Sequence, residues 1–332
     1  MHAVVCNALG EPETLVIEER PPAPLGPDQV RVRVRACGVN YVDGLFVQGR
    51  YQMVPPVPFT PGSELAGEVT EVGSEVEGWE VGRRVMASVG LGGFVDEAVL
   101  RSGQLIAVPD LITDTQAATL GQSYATAWFT LRRRTTVTTG DWVVVLGAAG
   151  GVGLAMIDVA RALGANVVAA ASTADKLELC IRRGAHDVID YTKDDLKTRV
   201  REITGGGADI AIDPVGGPLA EAALRSLGEF GRLMVIGFAS GEIPRLPANQ
   251  VLLRNRSVLG VDWGMWAMAN PAPNAELMAE VMDAISNGTL HPVEPATYPF
   301  EEAPTALRDL LERRVTGKAC LVPRHAPTVA PD

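Results

Sequence analysis

The run 141–163 commits this chain to one kind of sheet more firmly than any other stretch of its sequence. D-W-V-V-V-L (141–146) is a short apolar strand without alternation, G-A-A-G-G-V-G (147–153) is a turn, and 151–163 places Val152, Met156, Val159, Ala160 and Leu163 at helical spacing before Gly164 stops the helix. A buried strand that leads through a glycine turn into a helix returns to its sheet as a parallel neighbour. The cycle then repeats: strands are expected at 166–171, 187–190, 208–213, 232–237 and 257–261, with helices at 174–183, 194–203 and 218–227. This alternation specifies an α/β fold, a doubly wound parallel sheet with helices on both faces.

The glycine turn carries a chemical expectation as well. Glycines let the backbone approach a pyrophosphate closely, and the helix that follows presents unpaired N–H groups to its charge. Ala149, Gly150, Gly151 and Val152 are therefore expected to hold a dinucleotide. No Gly-Lys-Ser/Thr follows, so the loop is not a nucleoside triphosphate cradle. About 20 residues further on, such units place an acid that binds the adenosine ribose. Here the second strand ends A-A-A-S-T-A-D-K (169–176), and Ser172 stands at the acid's position. Without the acid a 2′-phosphate can enter, and Ser172, Thr173 and Lys176 offer donors and a cation, which points to NADPH. Asp175 is close, but S-T-A-D has the form of a capping box, so it is expected to serve its own helix.

The first hundred residues have a different texture, rich in Gly, Pro and Val, with short strands expected at 3–8, 14–18, 29–36, 67–72, 84–87 and 94–100. A helix is expected over 122–133. Past residue 261 the pattern fades into an Ala/Pro/Asn-rich connection (269–275), then a helix over 276–287, an extended segment at 297–300, a helix over 303–314 and a last strand at 318–322; the tail after Pro323 is expected to fray. A length of 332 residues suggests two domains. The net charge of −11 argues against nucleic acid or an anionic membrane surface as partner, since both demand an excess of Lys and Arg. No apolar run reaches the length of a membrane span and no basic-then-apolar leader is present, so the cytoplasm is the expected location. Four scattered cysteines, Cys6, Cys37, Cys180 and Cys320, fit a reducing compartment.

Six stretches together resemble the medium-chain dehydrogenase/reductase superfamily, and within it the zinc-free, zeta-crystallin-like quinone oxidoreductases. They are G-V-N-Y-V-D (38–43), P-F-T-P-G-S-E-L-A-G-E-V (58–69), the glycine loop, D-P-V-G-G (213–217), V-I-G-F-A-S-G (235–241) and T-G-K-A-C-L (316–321). The resemblance implies a discontinuous GroES-like, β-rich catalytic domain (1–120 and 265–332) around a Rossmann NADPH-binding domain (121–264), with the active site in the cleft between them. It also implies a homodimer paired through the strand near 257–261, and it adds Thr126, Tyr191, Gly237, Phe238, Trp263 and Lys318 to the cofactor residues. On the residues alone, Tyr191 reads equally as a half-buried surface tyrosine, and Trp263 and Trp266 as packing.

Zinc-dependent members of the superfamily carry cysteine where this chain has Asn40 and histidine where it has Ser63. With no cysteine between Cys37 and Cys180, and with His2, His186, His291 and His325 scattered, neither a catalytic nor a structural zinc set is expected. Cys37 lacks a nearby histidine and is read as buried filler, and Asp43 as a cap for the helix after Asn40. G-Q-S-Y-A (121–125) imitates a nucleophile elbow but does not follow a strand. The chemistry expected is hydride transfer from NADPH to a quinone or related conjugated carbonyl, with Asn40 and Tyr51 as hydrogen-bond donors to the substrate oxygen. Leu45 stands where the family often has a tyrosine, which favours a solvent-derived proton. An enone or enoyl thioester reductase, and a catalytically weak crystallin-like or RNA-binding protein, remain the alternatives.

Overall fold

The computed structural model describes residues 1–324; the remainder of the tail expected to fray, with His325, lies outside the described residues. The chain divides into two compact units, one formed by Met1–Gln122 with the described residues from Pro292 onward, the other by Ser123–His291.

The first unit opens with a hairpin of β1 (His2–Val5) and β2 (Val16–Glu19), followed by the long β3 (Gln29–Val39), helix α1 (Tyr41–Val47) and strands β4 (Glu64–Val72), β5 (Arg84–Ser88), β6 (Glu97–Arg101) and β7 (Ile106–Ala107). Strand β3 alternates Val30, Val32 and Val34, all fully buried, with Arg31, Arg33 and Arg35, so the arginines form its wet face and the valines its core face. Ion pairs from Arg31 to Glu71 and Glu97, and from Arg35 to Glu68, confirm a solvated charge ladder rather than a binding patch. Helix α2 (Asp114–Phe129) ends in a π-helical turn, Thr130–Arg134, and the unit boundary falls inside it at Gln122/Ser123.

The second unit carries the expected parallel sheet. Its strands are β8 (Trp142–Leu146), β9 (Asn166–Ala171), β10 (Asp187–Asp190), β11 (Ala208–Asp213), β12 (Leu227–Val235) and β13 (Ser257–Gly260), in the order β10-β9-β8-β11-β12-β13, every pairing parallel. Between them run α3 (Gly151–Ala162), α4 (Ala174–Arg182), α5 (Leu196–Thr204), α6 (Gly217–Ser226) and α7 (Ala248–Leu252). Val143, Val144, Val145 and Leu146 have no exposed surface, and each such side chain gains about 1.5–3 kcal/mol from burial, which makes β8 the natural centre of the sheet. The order reverses direction between β8 and β11, the switch point where ligands bind beyond strand carboxyl ends.

Two sequence expectations need correction here. The connection expected at 269–275 is helical: α8 (Trp263–Ala269) and α9 (Pro271–Ser286) nearly abut, because Pro271 starts a helix at the position where a missing N–H costs nothing. The return to the first unit, placed at 265 by resemblance, falls at Pro292. Helix α9 belongs to the second unit because Glu280 accepts from Trp128 and Arg133, and Leu277, Met278, Val281 and Ile285 are buried. The residues at both unit boundaries meet one side chain: Asp158 accepts from the Tyr124 hydroxyl (2.7 Å) and from the His291 backbone N–H (2.6 Å). Back in the first unit, β14 (Ala296–Pro299), α10 (Ala303–Leu311) and β15 (Ala319–Val322) close a seven-stranded sheet, with β15 against β3.

Candidate functional site

In the first unit the end of β3, the start of α1, the start of β4 and the residue before β15 bring four polar side chains into one buried cluster. Asn40, Ser63, Glu64 and Lys318 are all at most 9% exposed, surrounded by apolar core. The Asn40 amide donates to Ser63 Oγ (3.0 Å) and Glu64 Oε1 (2.8 Å), and its Oδ1 accepts from Lys318 Nζ (2.5 Å). Lys318 also donates to Glu64 Oε1 (3.0 Å), and Glu64 Oε2 accepts from the Gln122 backbone N–H (2.9 Å). Asp43 accepts from the Asn40 backbone N–H (2.8 Å), the cap expected of it. The cluster is tight enough to dictate a glycine: a Cβ on Gly38 would lie 2.1 Å from Ala118 O and 2.7 Å from Glu64 Cγ.

This geometry alters the expected role of Asn40. An amide has two N–H groups, both are spent inside the protein, and none is left for a substrate oxygen. The cation of the cluster, ion-paired with Glu64, is Lys318, which the resemblance had assigned to the cofactor. Tyr51 is over a third exposed, its ring edge-on to Phe46 at 4.9 Å. Burial first, and the Glu64 charge with it, push the Asp43 carboxyl up to about 7 against the pull of the Asn40 N–H, Lys318 and the Ser63 hydroxyl. Burial likewise pushes the Cys37 thiol far above its ordinary range, so this cysteine is packing, not nucleophile. Sequence reasoning overlooked Glu64; its signal was an acid at the head of the otherwise apolar strand segment E-L-A-G (64–67).

A zinc ion does not fit these residues. An amide, a hydroxyl and a carboxylate already paired with an ammonium are the wrong donors, and an ammonium cannot ligate. Among the described residues no group of three or more His, Cys, Asp or Glu side chains could hold a metal.

In the second unit the glycine turn fits a dinucleotide pyrophosphate. Gly150 is the N-cap of α3 and offers no side-chain cap, so the first N–H groups of the helix keep their donors for a ligand. A Cβ on Gly153 would stand 2.6 Å from Gly147 O and Ala148 O, so only glycine lets the turn and the helix close up. Ser172 follows β9 directly, Tyr191 follows β10, and Tyr191 N–H donates to Ala171 O (3.3 Å), which gathers Ser172 and Tyr191 at one sheet end. Gly237 N–H reaches Asp213 O beside the switch point, and Phe238 is over a third exposed next to it. Thr126 is buried within α2, and the Trp263 indole is engaged by Asn274 (3.0 Å). The capping box needs correction: the cap of α4 is Thr173, whose hydroxyl accepts from Lys176 N–H, so Ser172 is not the cap and Asp175 is exposed in the first turn. G-Q-S-Y-A lies in the interior of α2, which removes the nucleophile elbow.

Comparison with known proteins defines the class. Residues 26–110 match the alcohol dehydrogenase GroES-like domain and 151–283 the zinc-binding dehydrogenase domain, the pairing of a two-part oxidoreductase. The chain is 39% identical to a quinone oxidoreductase-like protein 2 homolog of Nematostella vectensis, over 96% of this chain and 88% of that protein. Its fold superposes on the quinone oxidoreductase of Thermus thermophilus with a TM-score of 0.83 (31% identity, 97% and 100% of the chains covered). On the Escherichia coli quinone oxidoreductase complexed with NADPH the TM-score is 0.87 (28% identity, 97% and 100% covered). The chain belongs to the quinone oxidoreductase branch of the medium-chain dehydrogenase/reductase superfamily. Among the described residues no helix is long and apolar enough to cross a membrane.

Proposed function

We propose that this protein is an NADPH-dependent quinone oxidoreductase that works without a metal. The observation that carries the reading is the uncapped start of α3 behind a glycine turn closed so tightly that Gly153 has no room for a side chain. NADPH, when bound, supplies a hydride from nicotinamide C4 to a quinone or related conjugated carbonyl. Ala149 to Val152 hold the pyrophosphate, Ser172, Lys176 and Tyr191 the adenosine phosphate end, and Thr126, Gly237, Phe238 and Trp263 the nicotinamide half. In the first unit, Lys318, fixed by Asn40 and Glu64, and the Tyr51 hydroxyl are the groups suited to meet negative charge on a substrate oxygen. Asn40 is thus a positioning residue that acts through Lys318. Solvent supplies the proton that completes the reduction, consistent with Leu45 offering none.

The test is steady-state oxidation of NADPH and NADH by chelator-treated protein against a panel of quinones and enones. Quinone turnover that survives chelation, with NADPH preferred, is expected; preference for NADH, or turnover of enones alone, overturns the assignment. Lys176→Glu should raise KM for NADPH at least tenfold and leave NADH use nearly unchanged. The supported setting is a homodimer in a reducing, cytoplasmic compartment, since four buried cysteines form no disulfide and β13 is an edge strand with mostly exposed residues. A monomer mass by light scattering would remove the dimer.

A further inference from the structure

The amino ends of the second unit's strands carry a concentration of positive charge that the reduction chemistry does not use. Arg256, only 6% exposed and immediately before β13, donates to the carbonyls of Leu227 (2.6 Å), Gln250 (3.2 Å), Gly228 (3.4 Å) and Arg225 (3.4 Å). Arg201, on α5, donates to the same Arg225 carbonyl (3.2 Å), so two guanidinium groups converge on one oxygen. Its Nε is buried and has no partner. Arg254 is exposed and held at φ 77°, and its charge bears on both: burial first, then the neighbouring arginines, push the guanidinium pKa values of Arg201 and Arg256 down.

A helix end accounts for part of this. Arg225 and Leu227 stand at the carboxyl end of α6, and such an end presents about half a negative charge. Three full positive charges exceed it. Among the described residues none of the three arginines has a carboxylate partner: Glu202 pairs with Arg199 and Glu221 with Arg225, and Glu229, beside Gly228, is exposed and forms no ion pair with them. In a chain of net charge −11, three guanidinium groups gathered at one corner with no paired carboxylate offer an external anion a favourable site.

We propose that Arg201, Arg254 and Arg256 form a binding site for a phosphate group, free or carried by a small molecule. The exposed Arg254 fork suits a tetrahedral dianion, Arg201 adds a second guanidinium beside it, and the buried Arg256, whose donors are spent on backbone carbonyls, contributes its charge; a bound dianion relieves the mutual repulsion of the three. The site is separate from the cofactor's: it lies at the amino ends of β12 and β13, whereas the glycine turn follows the carboxyl end of β8 in the same parallel sheet.

Equilibrium dialysis of the full chain, saturated with NADPH and with cofactor occupancy read by its fluorescence, tests this with inorganic phosphate in one arm and phenyl phosphate in the other. One saturable site per chain is expected with NADPH still bound, and the tighter arm identifies the free ion or the monoester as its ligand. Arg254→Ala removes an exposed side chain and should weaken binding at least tenfold; Arg20→Ala, on the other unit, should leave it unchanged. Absence of a saturable site, phosphate binding only at the expense of NADPH, or undiminished binding in both Arg254→Ala and Arg201→Ala would each overturn the proposal. Failure of NADPH to bind is seen separately in the fluorescence and bears on the reductase reading alone.

Discussion

Lys318 and Glu64 form a buried ion pair of a kind whose worth shows only when one partner is removed. Lys318→Met should cost about 3–5 kcal/mol in urea unfolding, because Glu64 is left charged and dry. Adding Glu64→Gln to that variant should restore most of the loss; two independent, additive losses would show that the pair does not act as one. Asp43 makes a different prediction. Its folded carboxyl holds a proton up to about 7, while an unfolded one releases it near 3.9, so its contribution to stability is full below about pH 4 and is lost as pH rises through 7. Asp43→Asn should flatten that part of the curve of Tm against pH. Sequence alone singled out Asn40 and Lys318, but assigned them to separate tasks. Nothing in linear order says that residues 278 positions apart are joined by a hydrogen bond, and Glu64 was hidden because an acid at a strand end ordinarily faces water.

The β8–turn–α3 element was legible almost to the residue, since a glycine turn between a buried strand and a periodic helix admits few readings. Gly153→Ala should test its closure. The added methyl would press on two backbone oxygens, which cannot rotate aside as a side chain could, so cofactor affinity should fall at least tenfold and stability by about 1–3 kcal/mol. Unchanged NADPH titration would show that the turn has slack. Besides the two-residue strand β7, the elements missed were α7, α8 and the first turns of α9, helices where Pro, Asn and Ala dominate. Composition there resembles a linker, and only packing of Trp266 on Phe129 (ring centroids 4.6 Å apart) and of Glu280 against Trp128 decides for helix. Helix α4 shows the same limit at finer grain: S-T-A-D offers two possible caps one residue apart, and backbone geometry selects Thr173.

At the scale of the whole molecule, the change from short strands to alternating strands and helices located the first unit boundary near residue 120, and the structure puts it at Gln122/Ser123. The second boundary was not legible, because helices α8 and α9 carry no periodic mark of the sheet they accompany. Asp158 supplies what the sequence lacked, since Tyr124 and His291, next to the two boundaries, bond the same carboxylate. The second unit is therefore an insertion whose entrance and exit are clasped at a single point, a cassette with its own latch. A fragment comprising 123–291 should fold cooperatively by itself, and Asp158→Ala should abolish that autonomy while the full chain still folds, as circular dichroism melts would register. Joining the fragment's ends by a short linker and reopening it in an exposed loop should give a working circular permutant, because the cut would fall far from the latch.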